Sequence, residues 1–146
     1  MHLSDSSVQK NAEKVILRQL EKQMSLPEYS LVEKKVYLKD DSFVNFDGYN
    51  DDEGIIVEIY ARIGKLAPSQ EKKIVTDLMK MVLTERVLQK NFRKIIAVCD
   101  ELVEKQITGS SWKSLAISEF QVEVIKVEIG SELRQDIIDT QKRQYR

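Results

Sequence analysis

One cysteine and one histidine in 146 residues remove most of the side-chain chemistry of small enzymes from this chain. A lone Cys99 cannot close an internal disulfide, so a reducing cytoplasm is the expected compartment. It lies in the apolar run Ile95-Ile-Ala-Val-Cys99, which predicts a buried structural thiol rather than a nucleophile. His2 sits at a terminus expected to fray. A Ser-His-Asp or Cys-His mechanism, or a zinc site, therefore lacks its imidazole. Long apolar runs are missing too, and the opening Met-His-Leu-Ser-Asp-Ser-Ser is polar. Neither a membrane span nor a signal peptide is expected. The net charge of -1 lacks the basic total of a dedicated nucleic-acid binder. Tyr29, Tyr37, Phe46 and Trp112 are too scattered for a base-stacking platform and read as core or strand-surface residues. No repeat, low-complexity tract or linker interrupts the chain, so one domain over residues 1–146 is expected.

What remains is ordinary globular material, 42% apolar and 32% charged. The charge is banded. From Glu28 to Glu58 there are nine acidic and three basic residues; from Arg62 to Lys94, nine basic and three acidic; from Asp100 to Asp139, nine acidic and four basic. The basic middle band either meets a polyanion or is a solvated helix face answering acidic neighbours.

Periodicity gives the elements. Val8, Ala12, Val15, Ile16 and Leu20 predict a helix over Val8–Met24, with Ser4-Asp5-Ser6-Ser7 offering cap oxygens and Pro27 beyond its end. Strands are predicted over Glu33–Leu38, Ser42–Phe46 and Ile55–Ile63. Asp40-Asp41, Asp47-Gly48 and Asn50–Gly54 read as turns. Ala67-Pro68-Ser69 opens a helix to about Gln89, because proline suits a first turn. Ile74, Val75, Leu78, Met79 and Val82 form its apolar stripe. Gln70, Lys73, Asp77, Lys80 and Thr84 form a polar one. Lys94–Cys99 reads as a central strand. Ser110-Ser111 caps a short helix holding Trp112, Leu115, Ala116 and Phe120. Gln121–Ile129 is a strand, and Ser131–Arg146 a closing helix with Leu133, Ile137 and Ile138 inward. The predicted class is α/β: a central mixed sheet flanked by helices, in the order α-β-β-β-α-β-α-β before the closing helix.

Val44–Lys80 is where a reaction can be argued. On the third strand, Ile55, Val57, Ile59 and Ala61 line one face, and Glu58, Tyr60 and Arg62 the other. A polar row inside an apolar strand is costly to bury unless it finds partners or does chemistry. Asp47 plus Glu58 is an oxygen pair suited to a hard divalent cation. Each has a bland alternative. Asp-Gly is a common turn pair, and Asp51, Asp52 and Glu53 are rival acids nearby. Glu58 can pair with Arg62 across one strand step. Gln70 and Lys73 can be a solvated helix face. Glu13 and Glu21 on the first helix are possible further acids.

This arrangement resembles the PD-(D/E)XK nuclease-like superfamily, with its restriction-endonuclease-like fold. The motif is an acidic residue near one strand, then Glu/Asp-x-Lys on the next, then a helix. Asp47 matches the first acid and Glu58-Ile59-Tyr60 the Glu-x-Lys, with Tyr60 in the place of the lysine. Small bacterial members with a strand, Gly-Lys-Leu, then Gln-x-x-Lys and a long helix are the most similar. The resemblance covers roughly residues 30 to 100. It implies a DNA phosphodiesterase using Mg²⁺ or Mn²⁺ held by Asp47 and Glu58, with Lys73 or Arg62 supplying the missing cation. Members of the superfamily relocate the lysine to this helix. Asp47, Glu58 and Lys73 would then be catalytic, and Arg62 and Gln70 would contact substrate. Tyrosine, neutral near pH 7, cannot replace the lysine's charge. A non-catalytic member serving as a binding or assembly module is the alternative. A small α/β homodimer, joined through a sheet edge or the helix after Ser131 and unrelated to nucleic acid, is another.

Overall fold

The computed structural model describes residues 5–144. Its elements are α1 (Asp5–Gln23), β1 (Val32–Lys39), β2 (Ser42–Asn50), β3 (Ile55–Tyr60), α2 (Pro68–Leu88), β4 (Arg93–Val98), α3 (Glu101–Ile107), α4 (Trp112–Glu119), β5 (Val122–Lys126) and α5 (Ser131–Gln144). His2, the cap candidate Ser4 and Arg146 lie outside the described residues.

The strands form one mixed sheet in chain order, β1-β2-β3-β4-β5. Short turns fold β1, β2 and β3 into an antiparallel meander. The α2 crossover makes β4 parallel to β3, and β5 is parallel to β4. Alternation along β3 and β4 divides the core between the two faces. Val57, Ile59, Ile95 and Ala97 pack on Ala12, Ile16 and Leu20 of α1 and Ile137 of α5. Ile56, Tyr60, Ile96 and Val98 pack on Ile74, Leu78 and Met81 of α2, Val103 and Ile107 of α3, and Ile117 of α4. Among the described residues, no helix is long and apolar enough to cross a membrane.

Several expected boundaries move. α3 is an additional helix between β4 and α4. Its seven residues give only two inward positions, Val103 and Ile107, too few to show a period. β2 runs on through Asp47-Gly48 to Asn50, so that pair is not a turn. Lys34 faces Phe46 and Val32 faces Tyr49, so β2 carries one extra residue here, a bulge. A Cβ on Gly48 would lie 2.7 Å from Leu17 Cδ1 and 3.1 Å from Val57 Cβ, so glycine is there for the close approach of α1. The turn itself is Asp51–Gly54, with Gly54 at φ 68°.

β3 stops at Tyr60 rather than Ile63. The chain beyond it is held by side chains instead of a ladder. Gln141 bonds both the N–H and the carbonyl of Ile63, Asp100 accepts from Gly64 N, and Gln106 accepts from Leu66 N. On α2, Ile74 and Leu78 are buried as expected, joined by Met81. Met79 is exposed, and Val75 and Val82 are half-buried. With Leu83, Ala116 and Phe120 they line an open apolar groove of about 340 Å³. Trp112 and Tyr29 are also exposed, contrary to a core or strand placement. Cys99, one residue past β4, is buried as expected.

Candidate functional site

Glu58 and Tyr60 point from β3 toward α2, and both are almost fully buried, at 3% and 2% exposure. What meets them is the polar stripe of α2. Residues 73, 77, 80 and 84 recur at three- and four-residue steps and so share one side of the helix. Asp77 and Thr84 are buried, so this stripe is not simply a solvated face. Lys80 Nζ lies 3.0 Å from Glu58 Oε1 and 3.7 Å from Asp77 Oδ1. The Tyr60 hydroxyl donates to Asp77 Oδ2 at 2.5 Å. Lys73 Nζ stands 4.0 Å from the same oxygen and 4.8 Å from the centre of the Tyr60 ring. The Thr84 hydroxyl turns back to the Lys80 carbonyl within the helix.

Asp47 stands at the end of β3, near enough to this cluster for its charge to act on Glu58. The β2–β3 ladder closes at Gly48–Val57. Past that point the Ile59 N–H has no β2 carbonyl to meet, and Asp47 Oδ2 accepts it at 2.8 Å. The carboxylate thus replaces a strand partner where β2 and β3 part. It also lines a cavity of about 300 Å³ under α1, with Lys10, Glu13, Lys14, Leu17, Glu33 and Ile59.

The electrostatics follow from burial. Burial pushes Glu58 up to about 8, helped by the charges of Asp47 and Asp77, against the Lys80 ammonium. Burial also raises Asp47, although the Ile59 N–H and Lys73 oppose it. Glu13 is raised by burial and then by Asp47. Tyr60 is held neutral by burial and by the charge of Asp77. The charges of Asp47, Glu58 and Asp77 therefore act on one another near the end of β3, answered by Lys73 and Lys80 of α2.

No protein-family model matches this chain, and no curated protein or solved structure does either. What the site can do is argued from its residues. Among those described, no three histidine, cysteine or acidic side chains converge as a ready metal cage. Mg²⁺ does not require one: it keeps several waters and takes one or two carboxylates beside substrate phosphates. Asp47 and Glu58 are the carboxylates that could serve such an ion, from either side of the end of β3.

The other expected residues divide. Lys73 lies at the cluster, with its side chain about half exposed. Gln70 stands one turn earlier, half-buried, where its N–H closes the first turn onto Ala67 O. Arg62 does not extend the β3 row, since it lies beyond the strand end and donates to Gln144 Oε1 at 3.4 Å on α5. The cation at Glu58 is Lys80 rather than the Arg62 expected from strand spacing. Glu21 is a structural anchor: its oxygens accept from Tyr29 N and Leu31 N, with Arg18 Nε at 2.9 Å. Asp51 belongs to the turn, bonded by the Tyr49 hydroxyl and Lys90. Asp52 and Glu53 are exposed in that same turn. Asp77 and Lys80 are the site residues that motif reasoning passes over. Their signal is the length of the polar stripe, which continues well beyond the first turn of α2.

Proposed function

We propose that this protein is a metal-dependent phosphodiesterase of the restriction-endonuclease-like type, acting on DNA through a variant site. The observation that carries this reading is the nearness of Asp47 and Glu58 at the end of β3, close enough for the charge of Asp47 to raise Glu58, with Lys73 also acting on Asp47. One buried and one half-buried carboxylate whose charges oppose each other would be relieved by a divalent cation. The meander followed by a helical crossover supports the fold assignment. Asp47 and Glu58 would hold Mg²⁺ or Mn²⁺, which would supply an activated water and charge neutralisation at phosphorus. Lys73, half exposed at the mouth of the cluster, would meet a phosphate oxygen in place of the lysine missing at Tyr60. Tyr60 and Asp77 position it, through the ring and the carboxylate. Gln70 and the N-terminus of α2 would contact a neighbouring phosphate. Arg62 would touch substrate only by leaving Gln144.

One observation favours a second reading. Lys80 already stands 3.0 Å from Glu58, which lets the chain neutralise its own acid. A catalytically inactive nuclease-fold protein, binding nucleic acid or an assembly partner, would keep such a pair. Thermal melts with and without Mn²⁺, on wild type and Glu58→Gln, separate the two. A Mn²⁺-dependent rise in Tm that Glu58→Gln abolishes supports the metal site, because a ligand of the native state stabilises it. Cleavage of plasmid or oligonucleotide DNA by wild type only would add the activity. No shift in either protein leaves the inactive reading.

A further inference from the structure

We propose that the groove between α2 and α4 receives an amphipathic helix of a partner protein, one with acidic side chains at both ends of its apolar stripe. This surface is separate from the carboxylates at β3.

α2 is apolar on two sides. Ile74, Leu78 and Met81 belong to the core under the helix, and Val75, Met79, Val82 and Leu83 form a second stripe beside them. With Ala116 and Phe120 of α4, that second stripe lines the open groove of about 340 Å³. Met79, Leu83 and Phe120 are all exposed, Met79 at 68%. Apolar residues exposed singly are ordinary, but a continuous apolar trough between two helices marks a docking surface. Its spacing says what shape fits. Residues 72, 75, 79, 82 and 86 alternate three- and four-residue steps, as the a and d positions of successive heptads do. A third helix can therefore seat its side chains between them.

Charge says which helix. The basic band from Arg62 to Lys94 is mostly answered within the molecule. Lys73, Lys80, Lys90, Arg93 and Lys94 stand on carboxylates, and Arg62 bonds Gln144. Lys72 and Arg86, both exposed on α2, have no ion pair among the described residues. The acids of α2 are engaged elsewhere: Glu71 accepts from Gln106, Asp77 from Tyr60 and Glu85 from Phe92 N. The second stripe thus ends in an unanswered cation on either side, the two about 21 Å apart along the helix.

A second copy of the chain does not answer them. Lys72 and Arg86 are each seven positions from Met79. Antiparallel pairing of two α2 helices about Met79 sets Lys72 of one copy against Arg86 of the other. Parallel pairing sets each cation against itself. Both juxtapose like charges. A nucleic acid would meet the cations but leave the apolar trough open. An acidic amphipathic helix meets both.

The test uses the full chain and a fluorescent synthetic helical peptide of about 20 residues, long enough to span both cations. The peptide carries leucine at its a and d positions and glutamate where it meets Lys72 and Arg86; a twin carries lysine there instead. Anisotropy at low salt should show the glutamate peptide binding about tenfold tighter than the twin, as two exposed ion pairs replace two repulsions. Lys72→Glu/Arg86→Glu should reverse that preference. Met79→Glu should abolish binding of both peptides without lowering Tm, since Met79 is exposed; if Tm does fall, Met79→Gln takes its place. Equal binding of the two peptides, or no binding of the glutamate peptide, overturns the proposal. So does a wild-type dimer in sedimentation that Met79→Glu dissociates, which would assign the groove to a second copy. Binding of a DNA duplex that Arg86→Glu abolishes and Met79→Glu leaves intact would give the cations to a polyanion, and overturns it too.

Discussion

Glu58→Gln should flatten the pH profile of stability. In the native protein, burial and the charges of Asp47 and Asp77 hold the Glu58 proton up to about pH 8, whereas the unfolded chain releases it near the ordinary glutamate value of 4.5. A raised folded pKa contributes stability that is complete below the unfolded value and is lost as pH rises through the folded one. Between those values the native state carries close to one extra proton, a slope of about -1.4 kcal/mol per pH unit. From about pH 5.5 to about pH 7.5, wild type should therefore lose roughly 2–3 kcal/mol more than Glu58→Gln. Glutamine has the shape of the protonated acid, so the two proteins should be close at the lower pH. Asp47 and Glu13 are raised as well, but both are present in each protein and largely cancel in the difference. The assay is urea unfolding across that range with chelator present, comparing midpoints at matched slopes. Parallel profiles would mean that Lys80 keeps Glu58 ionised in the fold, and would refute the reasoning.

Leu78→Ala should cost roughly 2–5 kcal/mol, since Leu78 is 2% exposed in the α2 face of the core; near-neutral unfolding would show that α2 does not pack through it. Gly48→Ala should cost roughly 1–3 kcal/mol through its clash with Leu17 and Val57. A turn glycine free of α1 would lose little, so chemical denaturation distinguishes bulge from turn. Cys99 should resist thiol reagents in the native state, because burial and then the Asp100 charge push its thiol up to about 11. Rapid labelling at mildly alkaline pH would overturn that and reopen a redox role.

The alternation of β3 was legible because its period is local: Ile55, Val57 and Ile59 do face α1, and Glu58 and Tyr60 do face α2. The polar stripe of α2 was legible as a stripe, but its destination was not. A helical period separates polar from apolar positions without saying what lies opposite. Asp77 and Lys80 are buried or half-buried only because β3 presents its own polar row to them. Asp47-Gly48 misleads for the same reason. The pair carries a strong local turn signal, yet Leu17 arrives from far back in the chain and packs against Gly48 in a bulge instead. The end of β3 is likewise set by Gln141, Asp100 and Gln106, none of them local.

The charge balance of the cluster links its two halves. With every group ionised, Asp47, Glu58 and Asp77 carry three negative charges, and Lys73 and Lys80 carry two positive ones. Tyr60 is held neutral and adds none. One negative charge is left over in a largely buried site, and burying it uncompensated is costly. A proton on Glu58 removes it, and so does a divalent cation, but the two compete for the same oxygens. Metal uptake must then expel the proton, as it does wherever a ligand has to be deprotonated. The pH profile and the Mn²⁺ melt are therefore not independent. If Glu58→Gln flattens the first, Mn²⁺ stabilisation of wild type has to grow as pH rises toward about 8, where the proton leaves unaided. A flattened profile combined with no Mn²⁺ effect at any pH would identify the leftover charge as one that only a proton answers. Lys80 would then be a structural partner of a buried acid, and the cluster a means of holding α2 onto β3.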